Sequence, residues 1–508
     1  MRISRKPTDG VRHGADRGGL GRPAMAIGGD RGHDWAVALT ADGAADSRGT
    51  MSDSTVDALR AKVRGEVIGA PDAAYDQARK VYNGMIDRRP AAVVRCTSTA
   101  DAAAAIAVAR EEGLDLSVRG GGHSAPGFGT NDGGIVIDLS PLRDVVVDEA
   151  AATARAGGGC TWRVFNEATH AHGVATTGGI IGSTGIAGLT LGGGIGYLSR
   201  KYGLSCDNLV SAEVVTADGE VVLAGEKEHQ DLFWALRGGG GNFGVVTTFE
   251  YRMHPVAEIY GGPIVFPVDR AEDVLRFYRE YIAEAPEELG GFVGFHRAPP
   301  LPFLPEEWHF KNVCLAVLCW TGPIEEGEKR VQPFLDVVQP VGAHVGAMPY
   351  PALNVAFDEL LPPGLQHYWK ASFARELGDG AIAVHAEHGA KVPSIQTAVH
   401  LYPIDGAVQR VGADDTAFAY RDQGFSPVIA GMWENPADNA DNIAWVRGYY
   451  EALLPYSAQG GYINFMDGDD QSRIQDNYRG NYDRLAAVKT KYDPGNLFHV
   501  NQNIKPAA

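Results

Sequence analysis

Hydrophobic and polar positions along the chain follow two periods. Ser98 with Asp101 marks a capped helix start, the apolar positions through Ile106 and Ala109 continue the helix, and Gly113 ends it. Leu114, Leu116 and Val118 then alternate as one face of a strand, which runs straight into Arg119-Gly120-Gly121-Gly122-His123-Ser124. Residues 135–139 read as a buried strand and residues 161–168 as the start of a helix. Helices and short strands continue to a strand over 245–253, closed by Pro255. From about residue 260 to about 455 the stretches lengthen, with amphipathic helices over 271–285 and 443–454 and strands over 313–320, 397–402 and 418–421. Such a change of texture predicts a second domain. The last fifty residues are turn-rich and contain a helix over 482–491 stopped by Asp493-Pro494-Gly495. No internal repeat is present.

Composition narrows the class. At about 150 residues per domain, 508 residues predict two or three domains, and 44% hydrophobic residues suffice for their cores. The formal charge of -18, from 45 basic and 63 acidic residues, argues against non-specific nucleic-acid binding, which needs basic surface. The five cysteines (Cys96, Cys160, Cys206, Cys314, Cys319) form no CxxC pair, which predicts a reduced, cytoplasmic protein. No apolar run reaches 18 residues, so no membrane span is expected. Residues 1–52 lack both hydrophobic periodicity and the apolar core of a secretory signal. They are expected to be disordered, or an extension the fold does not use.

Glycine carries the most information. There are 65 glycines in 508 residues, well above the usual ~7%, concentrated at 120–122, 157–159, 178–196 and 238–241. These runs lie among good helix and strand patterns, so they predict sharp turns or close backbone approach to a ligand. Gly239-x-Gly241-x-x-Gly244 matches the dinucleotide fingerprint by letter, but a helical pattern precedes it and a strand follows, the reverse of the Rossmann order. No Walker sequence occurs. His385 and His388 lie three apart without a third ligand, so no metal site is expected, and Cys160 and Cys206 read as inert buried thiols.

The loop 119–124 differs, because it follows a strand and presents several backbone N–H groups in succession, suited to a pyrophosphate. His123 within it is either a surface histidine or a residue able to bond covalently to the 8-methyl carbon of a flavin. Three longer stretches accompany it: residues 177–196, Arg200-Lys-Tyr-Gly-Leu-Ser-Cys-Asp-Asn208, and Leu232-Phe-Trp-Ala-Leu-Arg-Gly-Gly-Gly-Gly-Asn-Phe-Gly244. Tyr462-Ile-Asn464, Tyr478-x-Gly-Asn481, Asp493-Pro-Gly-Asn-Leu-Phe498 and Asn501-Gln-Asn-Ile504 follow near the end. From about residue 60 onward the whole set, in this order, resembles the berberine-bridge-enzyme-like FAD-linked oxidases, which carry an FAD domain of the vanillyl-alcohol-oxidase (PCMH) type.

That resemblance implies an α+β fold: a two-subdomain PCMH-type FAD-binding domain over 55–258, completed by 460–508, enclosing a substrate domain over 259–459. The substrate domain is expected to be an antiparallel sheet backed by helices, with one face over the flavin. His123 matches the histidyl-FAD position. Ile181 stands where many members have a cysteine, so a single attachment is expected. Cofactor contacts are expected from Arg119, Gly120, Gly121, Gly122 and Ser124, and from Gly182, Ser183, Thr184, Gly188, Gly192, Gly193, Gly194 and Gly196. Asp207, Asn208, Gly244 and Val246 are assigned to the adenine end, and Asn464, Asn501 and Asn503 to the flavin ring. Tyr462 is placed beside the ring as a catalytic candidate. Plant members often carry a tyrosine where this chain has Phe465, which has no ionisable group, so the base is sought among Tyr420, His400 and Glu434. Tyr368 and Trp369 are candidate substrate contacts. The reaction implied is two-electron oxidation of a carbon–oxygen or carbon–nitrogen centre of a small molecule, with oxygen reduced to hydrogen peroxide. A dehydrogenase using another acceptor and a flavin-bearing binding protein are the rival readings.

Overall fold

The structure, a computed structural model, describes residues 54–507. The expectation for residues 1–52 therefore lies outside the described residues.

A short four-stranded sheet orders the N-terminal part, with strands Glu66–Gly69, Ala92–Arg95, Ile135–Asp138 and Leu116–Arg119 side by side. The first pair is antiparallel and the other two pairs are parallel. The parallel order follows from the helix Thr99–Glu112, which crosses between Ala92–Arg95 and Leu116–Arg119. Ser98 caps that helix, accepting from the Asp101 N–H, and Gly113 closes it at φ 66°. Parallel strands buried on both faces carry few polar residues, and Ile135–Asp138 is buried throughout. Their carboxyl ends lie at one edge, where open α/β sheets place ligands, and the glycine loop 120–124 leaves from there.

A five-stranded antiparallel sheet follows, in the order Val145–Asp148, Thr153–Gly157, Val245–Arg252, Leu209–Val215, Val221–Gly225. The GxGxxG stretch connects the helix Gln230–Leu236 to the strand Val245–Arg252, so it opens no helix.

The largest sheet is wholly antiparallel and has eight strands. Its main path is Gly342–Ala343, Glu258–Pro267, Asn312–Trp320, Leu289–Arg297, Ala398–Pro403, Phe425–Trp433 and Gln366–Ala371, and Gly346–Pro349 also pairs with Glu258–Pro267. One face packs on helices Ala271–Glu284, Ile324–Val337, Asp379–Gly389 and Asn439–Leu453, through residues such as Leu275, Phe334, Ile382 and Tyr449. At about 1.5–3 kcal/mol for each large apolar side chain taken out of water, this layer anchors the helices to one face and leaves the other free of them. That other face carries Ala398, Tyr402, Val428, Ala430 and Met432.

Two elements differ from the sequence reading. Residues 418–421 form no strand: Arg421 folds back to donate to Phe418 O and to both carboxylate oxygens of Asp207. The strand beside Ala398–Pro403 is instead Phe425–Trp433, whose internal Pro427 masks it in the sequence. No helix among the described residues is long and apolar enough to cross a membrane. All five cysteines are buried free thiols.

Candidate active site

A cleft of about 320 Å3 runs between the glycine loops and the helix-free face of the large sheet. Its floor is built by residues 119–124, by 179–181, 184, 185, 188 and 189, and by 240–242, with Phe498, Asn501 and Gln502 at one end. Its roof is Trp369, Ala398, His400, Tyr402, Val428, Ala430 and Met432, joined by Phe465.

Backbone meets backbone where the floor loops touch. A Cβ on Gly121 would lie 2.3 Å from Gly185 N, so only glycine fits there. Among the described residues, none of the N–H groups of residues 121–124 donates to a protein acceptor, leaving successive donors along the cleft wall. A segment that reaches over from the large-sheet region braces the floor. Asn354 donates to Gly179 O, and Asp358 accepts from Gly182 N at 2.8 Å and from Arg163 at 2.7 Å.

His123 closes the loop. Its ring stacks on Tyr82 at 3.8 Å between centroids, with Nε2 3.1 Å from Ser183 Oγ and Nδ1 3.5 Å from Thr184 Oγ1. Burial, and after it the neighbouring His367, lower its pKa to about 3, so the imidazole is neutral near pH 7 and keeps a lone pair. At the far end Asn242 is tied to the C-terminal segment, donating to Gln502 O and accepting from Ile504 N. Beneath it the fully buried Lys489 donates to Asn242 O, Phe498 O and Asp493. Asp493 in turn accepts from the N–H groups of Leu497 and Phe498.

Comparison with known proteins decides the assignment. Residues 90–225 match the model of an FAD binding domain, and residues 461–505 match that of berberine and berberine-like proteins. An FAD-linked oxidoreductase of Dictyostelium discoideum is 31% identical over 432 residues, covering 84% of this chain and 91% of its own. The chain belongs to the berberine-bridge-enzyme-like family of FAD-linked oxidoreductases. (R)-6-Hydroxynicotine oxidase of Paenarthrobacter nicotinovorans is 29% identical over 87% of this chain and 97% of its own. The solved structure of 6-hydroxy-D-nicotine oxidase from Arthrobacter nicotinovorans superposes with a TM-score of 0.77 at 27% identity, over 88% of this chain and 98% of the other. A glucooligosaccharide oxidase from Acremonium strictum superposes at 0.78 with 25% identity, over 90% and 99%.

The residues present in this FAD-linked oxidoreductase fit its cofactor. Unpaired donors at 121–124 suit a pyrophosphate, and glycine at 121 and 185 lets the two floor loops meet backbone to backbone. Of the residues expected to touch FAD, Arg119, Gly120, Gly121, Gly122, His123, Ser124, Thr184, Gly188, Asn464 and Asn501 line the cleft. Arg119 spends its charge elsewhere, donating to Asp138 at 2.9 Å. Ser183 touches His123 from behind the wall.

Other expected cofactor residues lie away from the cleft, and packing explains each. Gly182 sits under Val355 and Asp358. A Cβ on Gly192 would strike Asn464, on Gly193 Phe418, on Gly194 Ser205 and on Gly196 the carbonyl of Gly178, so these four glycines serve the chain's own close packing. Asp207 forms a buried two-pronged pair with Arg421, and Asn208 donates to Tyr202 O and Leu204 O. Gly244 abuts Val214 and Val215, Val246 is core, and Asn503 does not line the cleft.

The catalytic candidates also separate. Tyr462 is buried below the wall, its hydroxyl accepting from Gly194 N at 2.7 Å and Asn464 Nδ2 at 2.8 Å, and burial raises it to about 12. Tyr420 donates to Asp476 O and accepts from Gly460 N, outside the cleft. Glu434 is exposed and accepts from Gln396. Tyr368 points to the opposite face of its strand, donating to Asp469, whereas Trp369 lines the cleft. Only His400 of the three proposed bases faces the cleft. Its Nδ1 is 2.8 Å from Tyr402 Oη and its Nε2 is 2.7 Å from His296 Nε2. Sequence reasoning missed Tyr82, Tyr402, His296, Asn242 and Lys489. Alternation from His400 to Tyr402 was the available signal for one of them.

Proposed function

We propose that this chain is an FAD-dependent oxidase that oxidises a carbon–oxygen or carbon–nitrogen centre of a small molecule and uses oxygen as acceptor. The observation that carries the reading is the row of unpaired N–H groups leading to His123, set across one cleft from His400 and Tyr402. Bound FAD supplies an acceptor that takes hydride at N5 and passes two electrons to oxygen, giving hydrogen peroxide. The relatives named as nicotine and glucooligosaccharide oxidases support the oxidase reading over a dehydrogenase.

In this reading the 121–124 N–H groups hold the pyrophosphate and His123 is the covalent anchor. Its neutral ring keeps a lone pair for bond formation, and Tyr82 fixes the ring plane. Ile181 lines the cleft and no described cysteine does, which supports a single attachment. Asn464, held by Tyr462 and Leu189 O, positions the wall nearest the ring. His400, through Tyr402, accepts the substrate proton. Residues 55–258 with 460–508 form the cofactor domain, and residues 259–459 form the substrate domain. The five buried thiols support a cytoplasmic protein.

Stopped-flow mixing of the anaerobically reduced protein with aerated buffer tests the oxidase assignment. Recovery of the oxidised flavin spectrum within seconds, with one peroxide per flavin, is expected. Recovery over many minutes, or without peroxide, rejects oxygen as the acceptor.

A further inference from the structure

We infer that the substrate is a neutral, largely apolar, ring-bearing molecule that presents a single hydroxyl to Tyr402. The chemistry rests on the oxidase reading above, while the recognition argument stands on the cleft roof alone.

Two neighbouring strands build that roof by period 2. Ala398, His400 and Tyr402 come from one and Val428, Ala430 and Met432 from the other, in a register that sets Ala398 against Ala430 and His400 against Val428. Trp369 and Phe465 extend the apolar surface, with ring centroids 6.2 Å apart, and Phe465 stacks 5.8 Å from Tyr402. Apart from His400, among the described residues no acidic, basic or amide side chain of this sheet lines the cleft. A sugar would leave most of its hydroxyls against carbon, and each buried polar group without a partner weakens binding. A carboxylate or an ammonium group would find no counter-charge, since Arg119 is already paired with Asp138.

The polar atoms that remain are organised for one hydroxyl. His400 spends both ring nitrogens, on Tyr402 and on His296, which leaves Tyr402 Oη and the unpartnered Trp369 Nε1–H as the roof's open hydrogen-bonding positions. Burial lowers His296 to about 4 and holds His400 well below its usual value, so the chain is uncharged near pH 7 and selects for no anion.

Calorimetric titration of the holoenzyme with four probes tests the inference: 2-naphthol, 2-naphthoate, 2-naphthylmethylammonium and cellobiose. We expect 2-naphthol to bind about tenfold tighter than either charged naphthalene and about a hundredfold tighter than cellobiose. Tyr402→Phe, which keeps the ring packing, should weaken 2-naphthol about tenfold and leave 2-naphthoate within about twofold. Ala430→Glu should reverse the order in favour of the ammonium probe. Tighter binding of cellobiose or of a charged probe, no binding of 2-naphthol, or an unchanged 2-naphthol affinity in Tyr402→Phe would each overturn it. Failure of the oxidase reading shows separately, as slow reoxidation in air with the binding order intact.

Discussion

Tyr462, expected beside the flavin as a catalytic candidate, lies buried below the cleft wall, whereas Tyr402 faces the cleft. The buried Tyr462 hydroxyl accepts from Gly194 N and Asn464, so it fixes the loop that turns under the cleft. Tyr462→Phe leaves the Gly194 N–H without its acceptor, and a buried orphan donor costs about 1–3 kcal/mol. Thermal unfolding should show a loss of that size. An unchanged melting temperature would mean that the hydroxyl is not holding the loop. Tyr402 instead faces the cleft beside Phe465, supplying a phenol near the position where this chain lacks one. His123 drew attention through the resemblance of the whole motif set, since a lone histidine on a loop reads equally as a surface residue. His296 was not, since its link to His400 crosses strands 104 residues apart.

At the scale of elements, glycine runs that look alike in sequence do different work. The 120–122 run borders the cleft, whereas the 192–196 run is pressed against Asn464, Phe418, Ser205 and Gly178. Sequence shows that glycine is required at both but not against what, because the contact is tertiary. Gly121→Ala puts a methyl on Gly185 backbone, and we expect reduced flavin content together with a lower melting temperature. Absorbance per polypeptide after purification checks this; full occupancy would show that the loops can separate freely. The strand Phe425–Trp433 escaped recognition through Pro427, and with it Val428, Ala430 and Met432 of the cleft roof. The C-terminal Asp-Pro-Gly turn was legible, but not its anchor. Lys489, one helical turn before Asp493, is fully buried and ties that turn to Asn242. Lys489→Met strands the Asp493 charge and should destabilise the fold by about 3–5 kcal/mol, read by denaturant unfolding. A loss below about 1 kcal/mol would remove the pair from the account.

Across the whole molecule, buried histidines set the response to acid. His367 and His385 are buried and lowered by desolvation to about 4 and about 3, whereas in the unfolded chain they titrate near about 6.5. The unfolded state therefore binds more protons between these values, and stability falls as pH falls from about 6.5 toward 4, by about 1.4 kcal/mol per pH unit for each histidine. His385→Gln should flatten that slope by about one proton, measured from unfolding curves at several pH values. An unaltered slope would mean that His385 is protonated in the folded protein.

The central claim is that one histidine fastens FAD across a cleft whose roof is the large antiparallel sheet. Mass spectrometry of the denatured, proteolysed protein tests it most directly. The account predicts a single flavin-bearing peptide, the one containing His123, and complete loss of bound flavin from the denatured chain in His123→Ala. Flavin attached to any other peptide, or released entirely from the wild-type chain on denaturation, would contradict it.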